Sequence, residues 1–190
     1  MRFAYADPPY LGMCKAYKHE HNDGGERPFD GLCWDEVETH RILLDYLQGY
    51  DGWALSLHLP SLATILTLCP PETRVMAWCK SWASWKPGVF PAYAWEPVLL
   101  YGARKRRYGG GSVTPSDWFV THAAQFGFFG AKPEPFMWWI MDCLGVRPED
   151  DFDDLFTGSG LAAKAANKWR QQGTLGFDRP PRAKNEGMGL

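Results

Sequence analysis

The sequence lacks a dominant charge and long apolar runs. Its 190 residues carry 20 Lys and Arg against 22 Asp and Glu, a net charge of -2, which excludes a wholly cationic protein of the histone kind. No apolar run approaches the roughly 18 residues that a membrane span needs. The first residues also lack the apolar segment of a secretory signal. We therefore expect a cytoplasmic protein that does not enter the membrane.

Paired cysteines are lacking as well. The five cysteines are odd in number, widely spaced and without a C-x-x-C motif, as is typical of reduced thiols in a cytosol. Cys14, His19, His21 and Cys33 match no common zinc-ligand spacing, so we predict no metal site. The sequence also has no G-K-[ST] triplet, which excludes a P-loop.

The residues that are present suffice for one domain with a full core, since 45% of them are hydrophobic. Short apolar segments alternate with segments whose apolar residues have helical spacing, and this pattern predicts a mostly parallel α/β sheet. In such a sheet ligands bind outside the carboxyl ends of the strands. We predict a single domain over residues 1–178 and a disordered tail over 179–190. Strands are predicted at 2–6, 53–59, 74–78, 93–101, 152–156 and 174–177, and helices at 35–48 (with Gly49 as C-cap), 61–68, 135–144 and 161–172.

The loop after the first predicted strand combines hydrogen-bond acceptors with an aromatic ring. Its residues are Asp7, Pro8, Pro9 and Tyr10, and two prolines cannot continue a central strand. The Asp7 carboxylate and the Pro8 carbonyl match the two donors of an exocyclic amino group, and Tyr10 matches the face of a flat base. Such a grip favours a pyramidal nitrogen whose lone pair is directed at an electrophilic methyl group. The alternative is a strand terminator with a packed tyrosine.

A second loop, Gly158-Ser159-Gly160, lies between a predicted strand and a predicted helix. Glycines let the backbone approach a ligand closely, and the following helix N-terminus offers free N–H donors. Asp178, at the end of the next predicted strand, is placed to accept hydrogen bonds from ribose hydroxyls. With Ala163 the loop also fits G-x-G-x-x-A, so a nicotinamide-cofactor oxidoreductase and a tight turn without a ligand remain alternatives.

Together the two loops resemble a known family. Asp7-Pro8-Pro9-Tyr10 resembles the catalytic motif of amino-group methyltransferases that act on nucleic acid, with the aspartate form typical of DNA adenine N6 enzymes. Residues 154–160 resemble their S-adenosylmethionine loop, and Ala131-Lys132-Pro133 resembles the lysine-proline segment that precedes it. Trp78-Cys79-Lys80 and Trp95-Glu96-Pro97 resemble segments found between the motifs. The order, catalytic motif first and cofactor motif last, is similar to the permuted β-type arrangement, which brings both loops to adjacent strand ends.

The resemblance implies a Rossmann-like, circularly permuted fold that transfers a methyl group from S-adenosylmethionine to N6 of a flipped adenine in DNA. It departs from the family pattern at Leu155, where a proline is common, and in the short segment after Asp178. The implied catalytic residues are Asp7, Pro8, Pro9 and Tyr10. The implied cofactor-binding residues are Lys132, Asp154, Phe156, Thr157, Gly158, Ser159, Gly160 and Asp178.

A basic run predicts contacts to DNA phosphates; its residues are Arg104, Lys105, Arg106 and Arg107. The alternative is a solvated charge run. The target-recognition region implied by the resemblance, about 102–130, is small, which favours a short target sequence or the help of a second subunit in a homodimer. Trp78, Trp82, Trp85 and Trp95 are candidates for base stacking, although most are expected to pack in the core.

Other functions remain open at this point. Methylation of cytosine N4, or of adenine in RNA, keeps the chemistry and changes the acceptor. A non-catalytic nucleic-acid-binding relative is a further alternative, against which the intact Asp7 and glycine loop argue. A small standalone enzyme of this type would suit a bacteriophage or mobile element in a bacterial host.

Overall fold

The computed structural model describes residues 1–13, 29, 31–81, 87–105, 114–121, 132–157 and 160–174. Helices and strands alternate along most of these residues, as predicted. In chain order the elements are β1 (Arg2–Ala6), α1 (Val37–Leu47), β2 (Gly52–Ser56), α2 (Leu62–Leu66), β3 (Arg74–Lys80), β4 (Trp95–Tyr101), β5 (Trp118–Thr121), α3 (Glu134–Leu144), β6 (Asp151–Asp154) and α4 (Leu161–Thr174); a 3-10 turn, Leu59–Ser61, precedes α2.

The six described strands form one sheet in the order β5-β3-β4-β2-β1-β6. β1 runs parallel to β2 and to β6, and β3 runs parallel to β5. β4 is antiparallel to both of its neighbours, β2 and β3. The mostly parallel α/β sheet predicted from the sequence is confirmed. Because β1 and β6 are parallel neighbours, the loops that follow them leave the same edge of the sheet.

Two apolar layers enclose the sheet, because successive side chains of a strand point to opposite faces. In β1, Phe3 and Tyr5 belong to the core cluster that contains the apolar side of α3, whereas Ala4 and Ala6 belong to the cluster that contains α1 and α2. Because both faces of β1 are buried and it is paired on both sides, with β2 and β6, the loop after it starts from a fixed point. Fully buried large side chains of the α3 layer include Phe3, Phe136, Ile140 and Met141, and those of the α1 layer include Leu43, Leu47, Trp53 and Leu55.

Two helix ends differ from the prediction. The C-cap of α1 is Gln48, in ordinary right-handed conformation. The prediction that Gly49 caps this helix is therefore wrong. The left-handed cap occurs instead at Gly145 after α3, with φ 73°, and its N–H donates back to Asp142. Residue Thr174, predicted to begin a strand, is the last residue of α4. The rest of that predicted strand and the tail lie outside the described residues.

β5 is a strand that sequence periodicity did not predict. Trp118–Thr121 falls within the 102–130 range and extends the sheet beyond β3, with Trp78 opposite Phe119. Part of that range therefore belongs to the main sheet. Among the described residues no helix has the length and apolar character needed to cross a membrane.

Candidate active site

The two loops singled out from the sequence begin side by side. Tyr5 of β1 is in register with Asp154 of β6, and the N–H of Leu155 donates to the carbonyl oxygen of Tyr5 at 2.9 Å. Asp7 follows two residues after Tyr5. The structure therefore shows the adjacency of strand ends that the order of the motifs predicted.

Lys132 forms an ion pair with Asp7. Its Nζ lies 2.9 Å from Oδ2 and 3.1 Å from Oδ1 of Asp7, and only 7% of its side chain is exposed. Lys132 precedes α3, whose N-cap is Pro133. The resemblance assigned Lys132 to the cofactor, but the structure places its ammonium group on the carboxylate of the Asp-Pro-Pro-Tyr loop.

Tyr10 is buried and its ring is already stacked. The ring of Tyr10 lies on the imidazole of His58, with centroids 5.4 Å apart and an angle of 12° between the planes. Its hydroxyl accepts a hydrogen bond from Lys132 at 3.0 Å and lies within donating distance of Asp7, at 3.1 Å, and of Glu96, at 3.3 Å. The predicted stacking platform is therefore covered by His58 on one face.

Glu96 and Lys80 join this cluster, a role that sequence reasoning did not give them. Glu96 Oε2 lies 3.6 Å from the Nζ of Lys132, and Glu96 also forms a short ion pair with Lys80. Both come from the antiparallel pair β3 and β4, in which Trp78 is opposite Glu96. Both lie in the segments 78–80 and 95–97 that the resemblance had picked out, and this was the available signal.

The burial of these charges changes their protonation equilibria. Burial raises the pKa of Asp7, and the positive charge of Lys132 opposes that rise. Burial acts in the same direction on Glu96, but Lys132 and Lys80 together bring the pKa of Glu96 below its ordinary value. The neighbouring lysines therefore favour the ionised form of both carboxylates.

The second loop is shaped by Asp154 and Gly160. Asp154 Oδ1 accepts the N–H of Phe156 at 3.3 Å, which fixes the first turn after β6. Gly160 has φ 67°, a left-handed conformation, and an added Cβ would meet open space there. Its carbonyl accepts the N–H of Lys164 as α4 begins. Gly158, Ser159 and Asp178 lie outside the described residues.

The ring of Phe156 packs against two other aromatic side chains. It is stacked on Phe29, with centroids 5.6 Å apart, and meets the edge of Trp34 at 5.3 Å. A direct contact of Phe156 with a cofactor would have to use the part of its ring that these neighbours leave uncovered.

A cavity of about 380 Å³ runs along β6, beside the second loop. That volume is within the range of small-molecule sites, roughly 300–1,000 Å³. Asp7 and Tyr10 are not among the residues that line it. The lining comes from β6 and the loop after it, from the end of α1 and the turn that follows it, and from the middle of α4: Tyr46, Tyr50, Phe152, Asp153, Asp154, Leu155, Thr157, Ala166, Asn167 and Arg170.

Arg104 is used within the fold, contrary to its predicted place in a phosphate-binding run. Its guanidinium forms a short ion pair with the buried Asp150, and its Nε donates to the carbonyl of Gly145 at 3.0 Å. Only 19% of the Arg104 side chain is exposed. Lys105 is exposed, and Arg106 and Arg107 lie outside the described residues.

The four tryptophans proposed for base stacking lie in different environments. Trp78 is 3% exposed and packs against Phe136, with centroids 5.0 Å apart, so it belongs to the core. Trp95 is half-buried, and Trp82 and Trp85 fall in parts of the chain that the structure does not describe. The described residues contain no group of three or more His, Cys, Asp or Glu side chains arranged to hold a metal ion.

Comparison with known proteins gives a likeness of fold. No protein-family model matches the sequence, and no curated protein matches it. The solved structures to which the chain is similar include M1.HpyAVI in complex with SAM, with a TM-score of 0.54, and M1.HpyAVI, with a TM-score of 0.53. Each is 14% identical and covers 88% of this chain, and the matches span 78% and 76% of those chains respectively. The α/β fold of this chain is thus shared with the SAM complex of M1.HpyAVI.

Proposed function

We propose that this protein transfers a methyl group from S-adenosylmethionine (SAM) to the exocyclic N6 of adenine in DNA, in the permuted β-type order of motifs. The observation that carries the proposal is the hydrogen bond between Leu155 and Tyr5, which joins the ends of β6 and β1. It brings the acidic Asp-Pro-Pro-Tyr loop and the glycine loop to one edge of the sheet, where α/β proteins bind ligands. The fold likeness to the SAM complex of M1.HpyAVI supports the choice of cofactor.

The residues after β6 fit a SAM site. The turn fixed by Asp154, the left-handed Gly160 with open space around it, and the adjoining cavity leave room for a ligand beside exposed backbone. When bound, SAM supplies an electrophilic methyl group on a sulfonium. The residues proposed to hold it are Asp154, Phe156, Thr157, Gly158, Ser159, Gly160 and Asp178. Lys132 is left out because its ammonium lies on Asp7.

Asp7 and the Pro8 carbonyl are proposed to hold the two N6 protons of the adenine. Duplex DNA hides that amino group in the base stack, so the base must be flipped into the site. A flipped base that stacks on Tyr10 would either displace the His58 imidazole or use the opposite face of the tyrosine ring. Pro8 and Pro9 are buried, which keeps the loop backbone fixed while the base enters.

DNA is the proposed partner, and a short basic run would bind its phosphate backbone. The net charge of -2 offers no general attraction, so the contacts fall to Lys105, Arg106 and Arg107. Such contacts position the duplex without reading its sequence.

The test is incubation with unmethylated DNA and SAM labelled in its methyl group, followed by nucleoside analysis. The expected product is N6-methyladenine. N4-methylcytosine, or label in RNA alone, would overturn the proposed acceptor. Failure to bind SAM in calorimetry, with no transfer to any nucleic acid, would favour the non-catalytic relative.

A further inference from the structure

Lys132 lies between two carboxylates in the candidate active site. It contacts both oxygens of Asp7, at 2.9 and 3.1 Å, and lies 3.6 Å from Oε2 of Glu96. Glu96 is paired in turn with Lys80 on its other side. The charges therefore alternate along a short chain from Lys80 to Glu96, Lys132 and Asp7.

This arrangement competes with the proposed function of Asp7. An ammonium ion makes stronger, charge-assisted hydrogen bonds to a carboxylate than a neutral amino group does. While Lys132 contacts both oxygens, Asp7 is a weakened acceptor for the adenine amino group. The ammonium would also repel the positive charge that N6 gains as the methyl group arrives.

Glu96 is a second carboxylate partner that Lys132 can reach by a small movement of its ammonium group. A shift of less than about 1 Å would bring the 3.6 Å contact to hydrogen-bonding distance. An ammonium in a site this buried needs a carboxylate partner at every stage, because an unpaired buried charge is strongly unfavourable. The positive charges of Lys132 and Lys80 bring the pKa of Glu96 below its ordinary value, which favours the carboxylate that Lys132 needs as a partner.

We propose that Lys132 is a movable counterion. It pairs with Asp7 in the resting site and moves to Glu96 when the substrate amino group binds to Asp7. This inference rests on the proposed function and assigns positioning roles to Lys132 and Glu96. In the reaction the N6 lone pair forms the new N–C bond, and the C–S electron pair returns to sulfur. One N6 proton passes to Asp7, which the departure of Lys132 has made more basic, and then to solvent.

The titratable groups around Asp7 come from several elements. Lys132 precedes α3, Glu96 lies on β4, and Tyr10 belongs to the same loop as Asp7, while Lys80, at the end of β3, is paired with Glu96. Tyr5 of β1 and Asp154 of β6 are within electrostatic range of the cluster, since Asp7, Asp154 and Glu96 all help to raise the pKa of Tyr5, after burial. Within the part of the chain that the structure describes, Lys132 is the cation in contact with Asp7, so its removal should dominate the change in the titration of Asp7.

The first test needs no catalysis. The carboxyl band of Asp7, assigned with Asp7→Asn, is titrated by infrared difference spectroscopy in the wild type, in Lys132→Met and in Lys132→Arg. Lys132→Met should raise the midpoint by at least one pH unit, and Lys132→Arg should keep it near the wild-type value. Lys168→Met removes an exposed lysine paired with Glu134 and should leave the midpoint unchanged. Equal midpoints in wild type and Lys132→Met would overturn the counterion role.

The second test is a double-mutant cycle on methyl transfer. Glu96→Gln should lower kcat about tenfold with KM for DNA little changed, because Lys132 then stays on Asp7. In the Lys132→Met background the same change should have little further effect. An undiminished effect in that background would show that Glu96 acts through Lys80 instead and would overturn the shift.

The two proposals fail in different ways. If the wild type transfers no methyl group to DNA, the proposed function is overturned, while the infrared titration still decides whether Lys132 sets the ionisation of Asp7. A different result overturns the further inference alone: methyl transfer occurs, and kcat/KM falls at the same acid pH in wild type and in Lys132→Met.

Discussion

The backbone N–H of Leu155 donates a 2.9 Å hydrogen bond to the carbonyl oxygen of Tyr5. This bond continues the parallel pairing of β6 with β1 by one residue beyond Asp154. It fixes the distance between the turn that Asp154 opens and the loop that Asp7 opens, although about 150 residues separate the two in sequence. Two reactants held by these loops would be brought together by backbone geometry, which is a large part of what an enzyme must supply.

Asp7→Asn should abolish most methyl transfer and leave SAM binding intact. The amide keeps the size of the carboxylate, but it cannot take up a proton or pair with Lys132. We expect kcat to fall by at least about 100-fold, the usual scale for a proton-transfer group. The measurement is label incorporation into DNA at saturating SAM, with calorimetry for SAM affinity.

The control for that prediction is Asp117→Asn, which removes an exposed aspartate paired with Arg74. It should retain wild-type activity. Full activity in Asp7→Asn would refute the role of Asp7 as the acceptor of the N6 proton, because the amide oxygen can still accept a hydrogen bond from the amino group.

Gly160→Ala should weaken SAM binding and cost stability. The backbone at Gly160 is left-handed, with φ 67°, and a residue with a Cβ pays about 1–2 kcal/mol there. Gly31→Ala is a matched control, because Gly31 also has a left-handed φ, 81°, with open space around an added Cβ. Both variants should lose similar free energy of unfolding in urea. Only Gly160→Ala should raise the Kd for SAM; an equal Kd in the two variants would contradict the loop's role.

The sequence predicted the elements of the sheet well and individual side-chain partners poorly. Apolar periodicity located β1 and α3, because their burial follows from local pattern. Strand β5 was not predicted because its four residues, Trp118–Thr121, show little alternation of apolar and polar side chains. They form a strand by pairing with β3. The partners of Lys132 and Arg104 were missed for a different reason. A long basic side chain can reach any of several carboxylates, and the contacts that decide between them are between residues 125 and 46 positions apart.

Arg104→Ala should destabilise the fold without a specific loss of DNA affinity. The change removes the guanidinium from the buried Asp150 and from the Gly145 carbonyl. Breaking one side of such a pair costs about 3 kcal/mol, which urea unfolding would measure.

The phosphate-contact role is tested by changing Lys105, Arg106 and Arg107 together to Ala. This variant should bind DNA more weakly, and the slope of log K against log salt should become shallower by about 0.9 for each phosphate that the protein no longer neutralises. Its stability should stay near the wild-type value. A salt slope unchanged from wild type would show that the run is a solvated surface.

Asp150 should make the protein acid-sensitive. Burial alone would raise its pKa, but hydrogen bonds from the N-terminal ammonium, the Arg147 N–H and the Arg104 guanidinium bring the pKa of Asp150 below its ordinary value. A carboxyl group with a lowered pKa in the folded state stabilises the fold above its unfolded pKa, about 3.9, and this contribution is lost as pH falls through the folded pKa. Asp150→Asn should therefore lower the free energy of unfolding at pH 6–7, and the difference from wild type should shrink as pH falls below about 4. Asp51→Asn, which removes the carboxylate that accepts the backbone N–H of Arg2 at an exposed site, serves as the comparison. A difference between Asp150→Asn and wild type that stays constant from pH 7 to pH 3 would mean that the charge of Asp150 contributes nothing and that its packing alone matters.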